Sequence, residues 1–197
     1  MTLVTTVEDT FRRRLLDGMA ASIEQNGYHN TTIADIVRHA RTSRRTFYEH
    51  FPSREECFAA LFVEANAEMI RRITAAVDPK APWQEQIRTA VEAWVACAES
   101  APTITLSWIR DLPSLGAATR PLLRNMMEAF IEMVLTLCDT EELRAAGIRP
   151  VTREEAIILL GGLRELFAST LEDGGKPTDI REVAARSAIA LLGQQIS

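Results

Sequence analysis

The sequence predicts an all-α protein of about nine helices, with a short N-terminal three-helix domain ahead of a longer helical body. Apolar residues recur almost throughout at spacings of three and four, which places them on one face of a helix. Glycine, proline, serine and threonine separate these stretches at positions that are typical of helix ends and helix caps. No segment shows the alternation of apolar and polar residues that indicates a strand.

The sequence signals for helix starts, ends and apolar faces are clearest in the N-terminal helices. An apolar stripe at every fourth residue predicts the first helix: Phe11, Leu15, Met19 and Ile23. Gly27 is placed to end that helix, and Thr32 is placed to cap the next one. Two short helices follow, IADIVRHA (33–40) and RRTFYEHF (44–51). Pro52 then interrupts the chain, and Ser53 with Glu56 forms a capping box that opens a long fourth helix.

The fourth helix and five further helices form the longer body. Their expected bounds are about 54–77, 83–100, 102–112, 119–137, 153–172 and 179–194. The loops DPKAP, GIRPVT and DGGKPT separate some of them, because proline and glycine end helices. Thr152 and Glu155 form a second capping box at the start of the eighth helix. Short basic helices give way to longer apolar ones near residue 55, so we expect domains of residues 1–55 and 56–197.

Length and composition are those of an ordinary folded protein. The chain has 197 residues, of which 47% are hydrophobic and 25% charged, and this is enough to bury a real core. Its three cysteines are far apart and odd in number, which favours a reducing compartment over a disulfide framework. The N-terminal residues lack a signal-peptide pattern, and no stretch approaches the roughly 20 apolar residues of a membrane span. We therefore expect a cytoplasmic protein with no membrane partner.

Positive charge is concentrated in one segment of an acidic chain. The net charge is -5, yet residues 38–54 hold five arginines and two histidines against a single acid, Glu49. A local basic patch of this kind indicates a polyanion that meets one face of the protein. The charge alone is also compatible with an ordinary solvated helix face.

Two short helices joined by a turn of three or four residues, the second of them rich in arginine, form a helix-turn-helix candidate. Such a unit lays its second helix in the major groove of DNA, where base edges carry a distinct pattern of donors and acceptors. Phe47 and Phe51 share a face through their four-residue spacing and should pack inward on Ile36. The side chains expected to contact DNA are Thr32, Ser43, Arg44, Arg45, Thr46, Tyr48, His50 and Arg54.

Position along the unit divides these contacts into two kinds. Arg44, Arg45 and Thr46 begin the second helix, where recognition helices present side chains to bases. Arginine there can pair two-pronged with guanine, and a threonine methyl group can meet thymine. Helix N-termini attract phosphate oxygens, and so do hydroxyl and basic side chains further along. The expected phosphate contacts are therefore Tyr48, His50, Thr32 and Arg54.

The segment TTIADIVRHARTSRRTFYEHFPSREECFAALF (31–62) resembles the DNA-binding region of the tetracycline-repressor (TetR) family of bacterial transcriptional regulators. TFYEHFPSREECF is the most specific part of the match, which extends over about residues 11–62. The resemblance implies an all-helical homodimer whose N-terminal domain binds a palindromic operator. It also implies a C-terminal domain that dimerises and holds a small effector, and repression as the usual outcome of DNA binding.

The turn between the two short helices departs from the family pattern. Members commonly have glycine followed by an apolar residue there, whereas this chain has Arg41 and Thr42. Glycine suits a left-handed backbone, which costs any other residue about 1–2 kcal/mol. Either Arg41 bears that strain, or the turn differs slightly and shifts Ser43 and Arg44.

The resemblance further implies an effector cavity among the fifth to eighth helices. Large aromatic residues and flexible methionines in these helices suit an adaptable apolar pocket, although each of them taken singly is also an ordinary core residue. The candidate lining residues are Trp94, Cys97, Trp108, Met126, Phe130, Met133 and Phe167. These residue types indicate an apolar effector, while its identity, the operator and the target genes are not encoded in them.

A pair of glycines in the eighth helix indicates close helix approach. Each glycine costs a helix about 1 kcal/mol relative to alanine, so two together need a packing reason. In the family that the chain resembles, the last two helices of each subunit form the dimer interface. The predicted interface residues are Ile157, Leu160, Gly161, Gly162, Arg164 and Ala168. A monomer in which these glycines merely fit the core is also compatible with the pattern.

Catalytic and metal-binding patterns are absent from the sequence. The three histidines lie about ten residues apart and match no HExxH spacing, and there is no GxGxxG, GxxxxGK or GxSxG. We therefore expect no enzyme activity, no metal and no cofactor, and we rank an enzyme on a helical scaffold below a regulator. The residues are also compatible with a helical dimeric adaptor whose RRTFYEHF face meets protein or RNA, and with an activator without small-molecule induction.

Overall fold

The computed structural model describes residues 3–116 and 119–194 and, within them, the side chains from residue 10 onward. This part of the chain contains ten α-helices and no strand, which confirms the predicted all-α class. The helices are α1 (Leu3–Asn26), α2 (Ile33–His39), α3 (Arg44–His50), α4 (Arg54–Ala76), α5 (Trp83–Ser100), α6 (Pro102–Arg110), α7 (Arg120–Leu137), α8 (Glu141–Ala145), α9 (Arg153–Glu172) and α10 (Arg181–Leu192). Short 3-10 helices follow α6 at Leu112–Leu115 and precede α10 at Pro177–Ile180.

The additional helix relative to the sequence prediction is α8. It has only five residues, too few to show an apolar period, and it starts where the Thr140 hydroxyl accepts a hydrogen bond from the Leu143 amide. Leu143 is buried and fixes this short turn to the rest of its unit. The other helix bounds lie close to those predicted, because capping residues and loop prolines mark them.

Hydrogen bonds from side chains cap the starts of α2, α3 and α9. Thr32 and Asp35 form a reciprocal capping box at α2, and Ser43 accepts a hydrogen bond from the Thr46 amide at the start of α3. The predicted capping box of Thr152 and Glu155 at α9 is confirmed. These bonds satisfy amide groups that have no partner within the first helical turn.

Contacts divide the chain into two compact units. The first comprises Met1–Ala65 and Thr103–Arg120, and the second comprises Asn66–Pro102 and Pro121–Ser197. α6 therefore belongs with the N-terminal helices, and a contact between His29 Nε2 and Asp111 Oδ1 at 3.2 Å lies within this first unit. The functional boundary at residue 55 stays a prediction.

Each unit has its own buried core. In the first, the apolar stripe of α1 is buried at Leu15, Met19 and Ile23, as the spacing predicts. In the second, Trp94 and Phe167 meet edge to face with their ring centroids 5.9 Å apart. Among the helices of the described residues, none combines the length and the apolar character needed to cross a membrane.

Candidate nucleic-acid interface and apolar cavity

The α2–turn–α3 segment has one buried face and one exposed face. Phe47 is fully buried and Phe51 nearly so, with their ring centroids 5.9 Å apart, which confirms the predicted inward packing of both rings. Ile36 of α2 is buried as well. The opposite face of α3 is open to solvent: the side chain of Arg45 is 90% exposed and Tyr48 is 58% exposed.

The turn between α2 and α3 contains a strained arginine. Arg41 has φ of 50°, the left-handed region in which a non-glycine residue costs about 1–2 kcal/mol. Arg41 therefore bears the strain and adopts the backbone that glycine commonly provides. Arg14 of α1 stabilises this turn, because its guanidinium donates to the backbone carbonyl groups of Ala40 and Arg41. The second of these bonds is 2.6 Å long.

Gly18 allows α1 to lie directly against the backbone of α2. A methyl group at this position would lie 2.6 Å from the Ile36 carbonyl oxygen and 3.0 Å from the Ala40 amide nitrogen. These distances are shorter than ordinary van der Waals contact, and both partners are backbone atoms that cannot turn aside. The sequence interpretation missed this residue, although a lone glycine inside an otherwise regular apolar helix is a recognised sign of close packing.

The hydroxyl groups predicted to meet DNA also hold the helix starts. Thr32 Oγ1 donates to Asp35 Oδ2 at 2.6 Å, and Ser43 Oγ lies 3.0 Å from Thr46 Oγ1. The hydrogen bonds from Thr32 hold the pKa of Asp35 below its usual value, so this carboxylate stays ionised beside the α2 N-terminus. Thr32 and Ser43 are exposed and Thr46 is half-buried.

Arg54 is held by groups of its own unit. Its guanidinium donates to the Thr31 carbonyl oxygen at 2.8 Å, pairs with Glu55 at 3.0 Å and lies over the ring of Tyr28, 4.6 Å from the centroid. Tyr28 in turn stacks on Phe58 with ring centroids 3.7 Å apart, and burial raises the pKa of its hydroxyl. Arg54 thus joins the start of α4 to the turn between α1 and α2, and its predicted phosphate contact stays a prediction.

The remaining predicted DNA contacts differ in exposure. Arg44 is exposed like Arg45, whereas His50, at the end of α3, is half-buried. Arg45 Nε donates to Glu49 Oε1 at 3.0 Å, one helical turn further along. The exposed face of α3 therefore presents arginine side chains together with one carboxylate.

The second unit contains a small apolar cavity of about 50 Å³. Among the described residues, those that line it are all uncharged: Ile73, Gln86, Ile87, Ala90, Val91, Trp94, Met133, Val134, Leu137, Cys138, Leu159, Leu160, Leu163 and Leu192. Gln86 donates to the carbonyl oxygens of Pro79 and Ala81 and accepts from the Thr140 hydroxyl, so all its polar atoms are engaged. Burial raises the pKa of Cys138 to about 12, so its thiol stays neutral and behaves as a small apolar group.

A larger groove of about 400 Å³ lies next to this cavity and shares Met133 and Leu137 with it. The other residues that line the groove are Ile70, Thr74, Ala129, Glu132 and Thr136. Helices α4 and α7 form both of its sides. The flexible side chain of Met133 lines both the apolar cavity and the groove.

Of the residues predicted to line a pocket, Trp94 and Met133 line this cavity. Met126, Phe130 and Phe167 are buried in the core of the same unit but do not line the cavity, and Cys97 is half-exposed outside it. Trp108 is buried in the first unit. The prediction favoured aromatic residues and methionines, whereas the cavity is lined mainly by branched aliphatic side chains.

The predicted interface residues of α9 divide between the core and the surface. Leu160 and Ala168 are buried, and Arg164 is half-buried. Gly161 and Gly162 are exposed, and a methyl group on either one would have no neighbour within 4 Å. Ile157 and Ile158, one turn earlier, are exposed large apolar residues, and Ile158 is 61% exposed. These two isoleucines and two glycines form an exposed apolar surface on α9.

Known proteins resemble the chain in both sequence and structure. Residues 15–61 match the family model for bacterial regulatory proteins, tetR family. YhgD of Bacillus subtilis (strain 168), an HTH-type transcriptional regulator, is 21% identical over 144 residues, which are 73% of this chain and 74% of that protein.

Two solved structures share the fold. The transcriptional regulator FadR from Bacillus subtilis in complex with stearoyl-CoA has a TM-score of 0.76 at 16% identity, over 94% of this chain and 99% of that chain. The fatty acid degradation regulator FadR from Bacillus halodurans has a TM-score of 0.80 at 14% identity, over 91% of this chain and 94% of that chain. At these identities the likeness shows the shared all-α fold.

Proposed function

The chain belongs to the TetR family of bacterial transcriptional regulators, and on this premise we propose that it is a ligand-responsive repressor. As a homodimer it binds a palindromic operator, and a small apolar effector releases it. The observation that carries the proposal is the exposed face of α3, with Arg44, Arg45 and Tyr48 open to solvent above the buried ring of Phe47. The apolar cavity in the second unit supports the part that concerns the effector.

Base recognition is assigned to the start of α3. Arg44, Arg45 and Thr46 meet base edges in the major groove, where paired N–H donors of arginine match the two acceptors of guanine. The phosphate contacts, which position the protein without reading sequence, come from exposed or half-buried side chains around them. These residues are Thr32, Ser43, Tyr48, His50 and, where it releases Glu55, Arg54.

Selection of bound duplexes from a random pool tests the DNA-binding proposal. The enriched site should be a near-palindrome, because two symmetric recognition helices meet half-sites about 34–36 Å or a related spacing apart. Footprinting upstream of the protein's own gene then locates a natural operator. A single non-repeated site, or no enrichment at all, would contradict the proposal.

Arg44→Ala and Arg45→Ala should each cost about 1–3 kcal/mol of operator binding and relax preference at one position of each half-site. Tyr48→Phe should instead weaken binding by a similar factor on every duplex, because a phosphate contact carries no sequence information. Fluorescence anisotropy on the selected operator and on an unrelated duplex measures both the affinity and the sequence preference of each variant. Arg71→Ala, an exposed arginine of the second unit, is the control. Equal losses on both duplexes for the Arg44 and Arg45 variants would show that they do not read bases.

The effector that suits the cavity is an amphiphile with a long apolar chain. The lining offers aliphatic surface, a neutral thiol and an amide whose hydrogen bonds are already made, so nothing in it would hold a charged head group. A fatty acyl chain has the complementary chemistry, and a protein of the same fold is known in complex with stearoyl-CoA. Ligand pockets usually measure about 300–1,000 Å³, so a long chain must displace side chains such as that of Met133 and extend toward the groove.

Filling the cavity should block induction without affecting DNA binding. Ala90→Leu and Val91→Phe place extra carbon atoms in the apolar space, whereas Cys97→Trp is the matched control outside the lining. The first two variants should still bind the operator but no longer release it with stearoyl-CoA and related acyl thioesters, which the control should still do. Since coupling is reciprocal, operator DNA should also weaken acyl binding to wild type by the same factor. If Ala90→Leu and Val91→Phe release the operator at the same acyl thioester concentrations as wild type, the effector binds outside this cavity.

A further inference from the structure

Glu49 is the single acid within residues 38–54, and it lies on the open face of α3 with 54% of its side chain exposed. It accepts a hydrogen bond from Arg45 Nε at 3.0 Å. Every other charge that α3 presents is basic. The presence of a carboxylate on this face therefore needs a physical reason.

Helix stability does not supply that reason. The arginine precedes the acid by four residues, which is the weaker order for such a pair, and both side chains are largely exposed to water. Glu49 is also the penultimate residue of α3, where the helix dipole disfavours negative charge. On a surface that meets DNA, a carboxylate additionally repels phosphate groups. In all these respects Glu49 is unfavourable on this face unless its carboxylate accepts a further hydrogen bond from a donor outside the chain.

We propose that Arg45 and Glu49 act as a pair that reads one G·C base pair in each half-site, with Arg45 on guanine and Glu49 on the amino group of cytosine. This inference rests on the proposed DNA-binding function. In the major groove, guanine presents the O6 and N7 acceptors, and the cytosine paired with it presents the N4 donor beside them. The hydrogen bond between Arg45 and Glu49 places a donor side chain beside an acceptor side chain, which is the combination that this base pair requires.

The hydrogen bond to Glu49 still allows Arg45 to contact guanine. This hydrogen bond uses Nε, whereas the terminal nitrogens of a guanidinium are well suited to a two-pronged contact. The carboxylate also works against incorrect sequences. Opposite thymine O4 or guanine O6 it would face another acceptor, and this repulsion excludes those bases at its position.

Selection from a random duplex pool with wild type, Glu49→Ala and Glu49→Gln tests the pair. Wild type should enrich a G·C pair at one position of each half-site. Glu49→Ala should lose discrimination there by about tenfold, the scale of one base-edge contact, and should bind unrelated DNA more tightly because a negative charge is gone. Glu49→Gln should shift the preference toward adenine, since an amide can pair with adenine N6 and N7.

Glu68→Gln is the matched control. It removes an exposed acid from a pair with Arg72 at the same four-residue spacing, but in α4 of the second unit, and it should leave the selected site unchanged. An unchanged site for both Glu49 variants, with wild type still selecting a palindrome, would overturn the inference and leave the proposed function intact. If wild type selects no duplex, this result contradicts both the proposed function and the inference that rests on it.

Discussion

Gly18→Ala should lower the free energy of unfolding by about 1–3 kcal/mol and strongly weaken operator binding. The added methyl group would lie 2.6 Å from the Ile36 carbonyl oxygen, so α1 and the backbone of α2 must move apart. α3 depends on that backbone through the turn that Arg14 holds, and a recognition helix that shifts by a fraction of an ångström loses its contacts with base edges. Urea unfolding and fluorescence anisotropy on the selected operator measure the two effects.

Asp17→Ala is the control for this result. Asp17 lies on the exposed side of the same helical turn, and alanine is a good helix former, so stability and operator binding should stay close to those of wild type. Helix propensity alone predicts that alanine at position 18 stabilises α1 by about 1 kcal/mol relative to glycine. A Gly18→Ala protein as stable as wild type would therefore show that α1 and α2 can accommodate the added methyl group without loss of stability.

Local signals account for most of what the sequence predicted correctly. A cap such as Thr32 or Thr152 acts on the amide three residues ahead of it, so its effect is visible in a short stretch of sequence. The inward packing of Phe47 follows from helical spacing alone. These features involve neighbours along the chain, and no knowledge of the tertiary structure is needed to predict them.

The features that escaped prediction depend on contacts between distant segments. Arg54 carries a charge at a helix start, which suggests a phosphate contact, but its partners Thr31 and Tyr28 lie more than twenty residues earlier. The cavity lining draws residues from α4, α5, α7, α9 and α10, and residue type did not distinguish cavity-lining residues from the buried residues that do not line it. Arg41 is an intermediate case: the sequence identified the position that needs a left-handed backbone, and the structure was required to show that an arginine adopts it.

Replacing Gly161 or Gly162 with leucine should convert the proposed homodimer to monomers. Within one chain the space above both glycines is open, so a leucine side chain meets nothing of its own subunit and the fold should survive. In a two-fold interface between α9 surfaces, the same side chain would occupy the place of the partner's backbone. Overpacking of this kind costs about 1–3 kcal/mol, and symmetry makes each substitution act twice.

Sedimentation velocity distinguishes this outcome from simple unfolding, because circular dichroism should report wild-type helix content in both glycine variants while the sedimenting mass falls by half. Their operator affinity should fall as well. A monomer contacts only one half-site, whereas in a dimer two linked DNA-binding domains bind both half-sites together. Ala75→Leu places a leucine side chain at an exposed position of α4 and is the control, for which the mass of wild type is expected. If both glycine variants sediment with the wild-type dimer mass, the exposed isoleucines of α9 do not face a second copy of the chain, and the dimer must form through another surface.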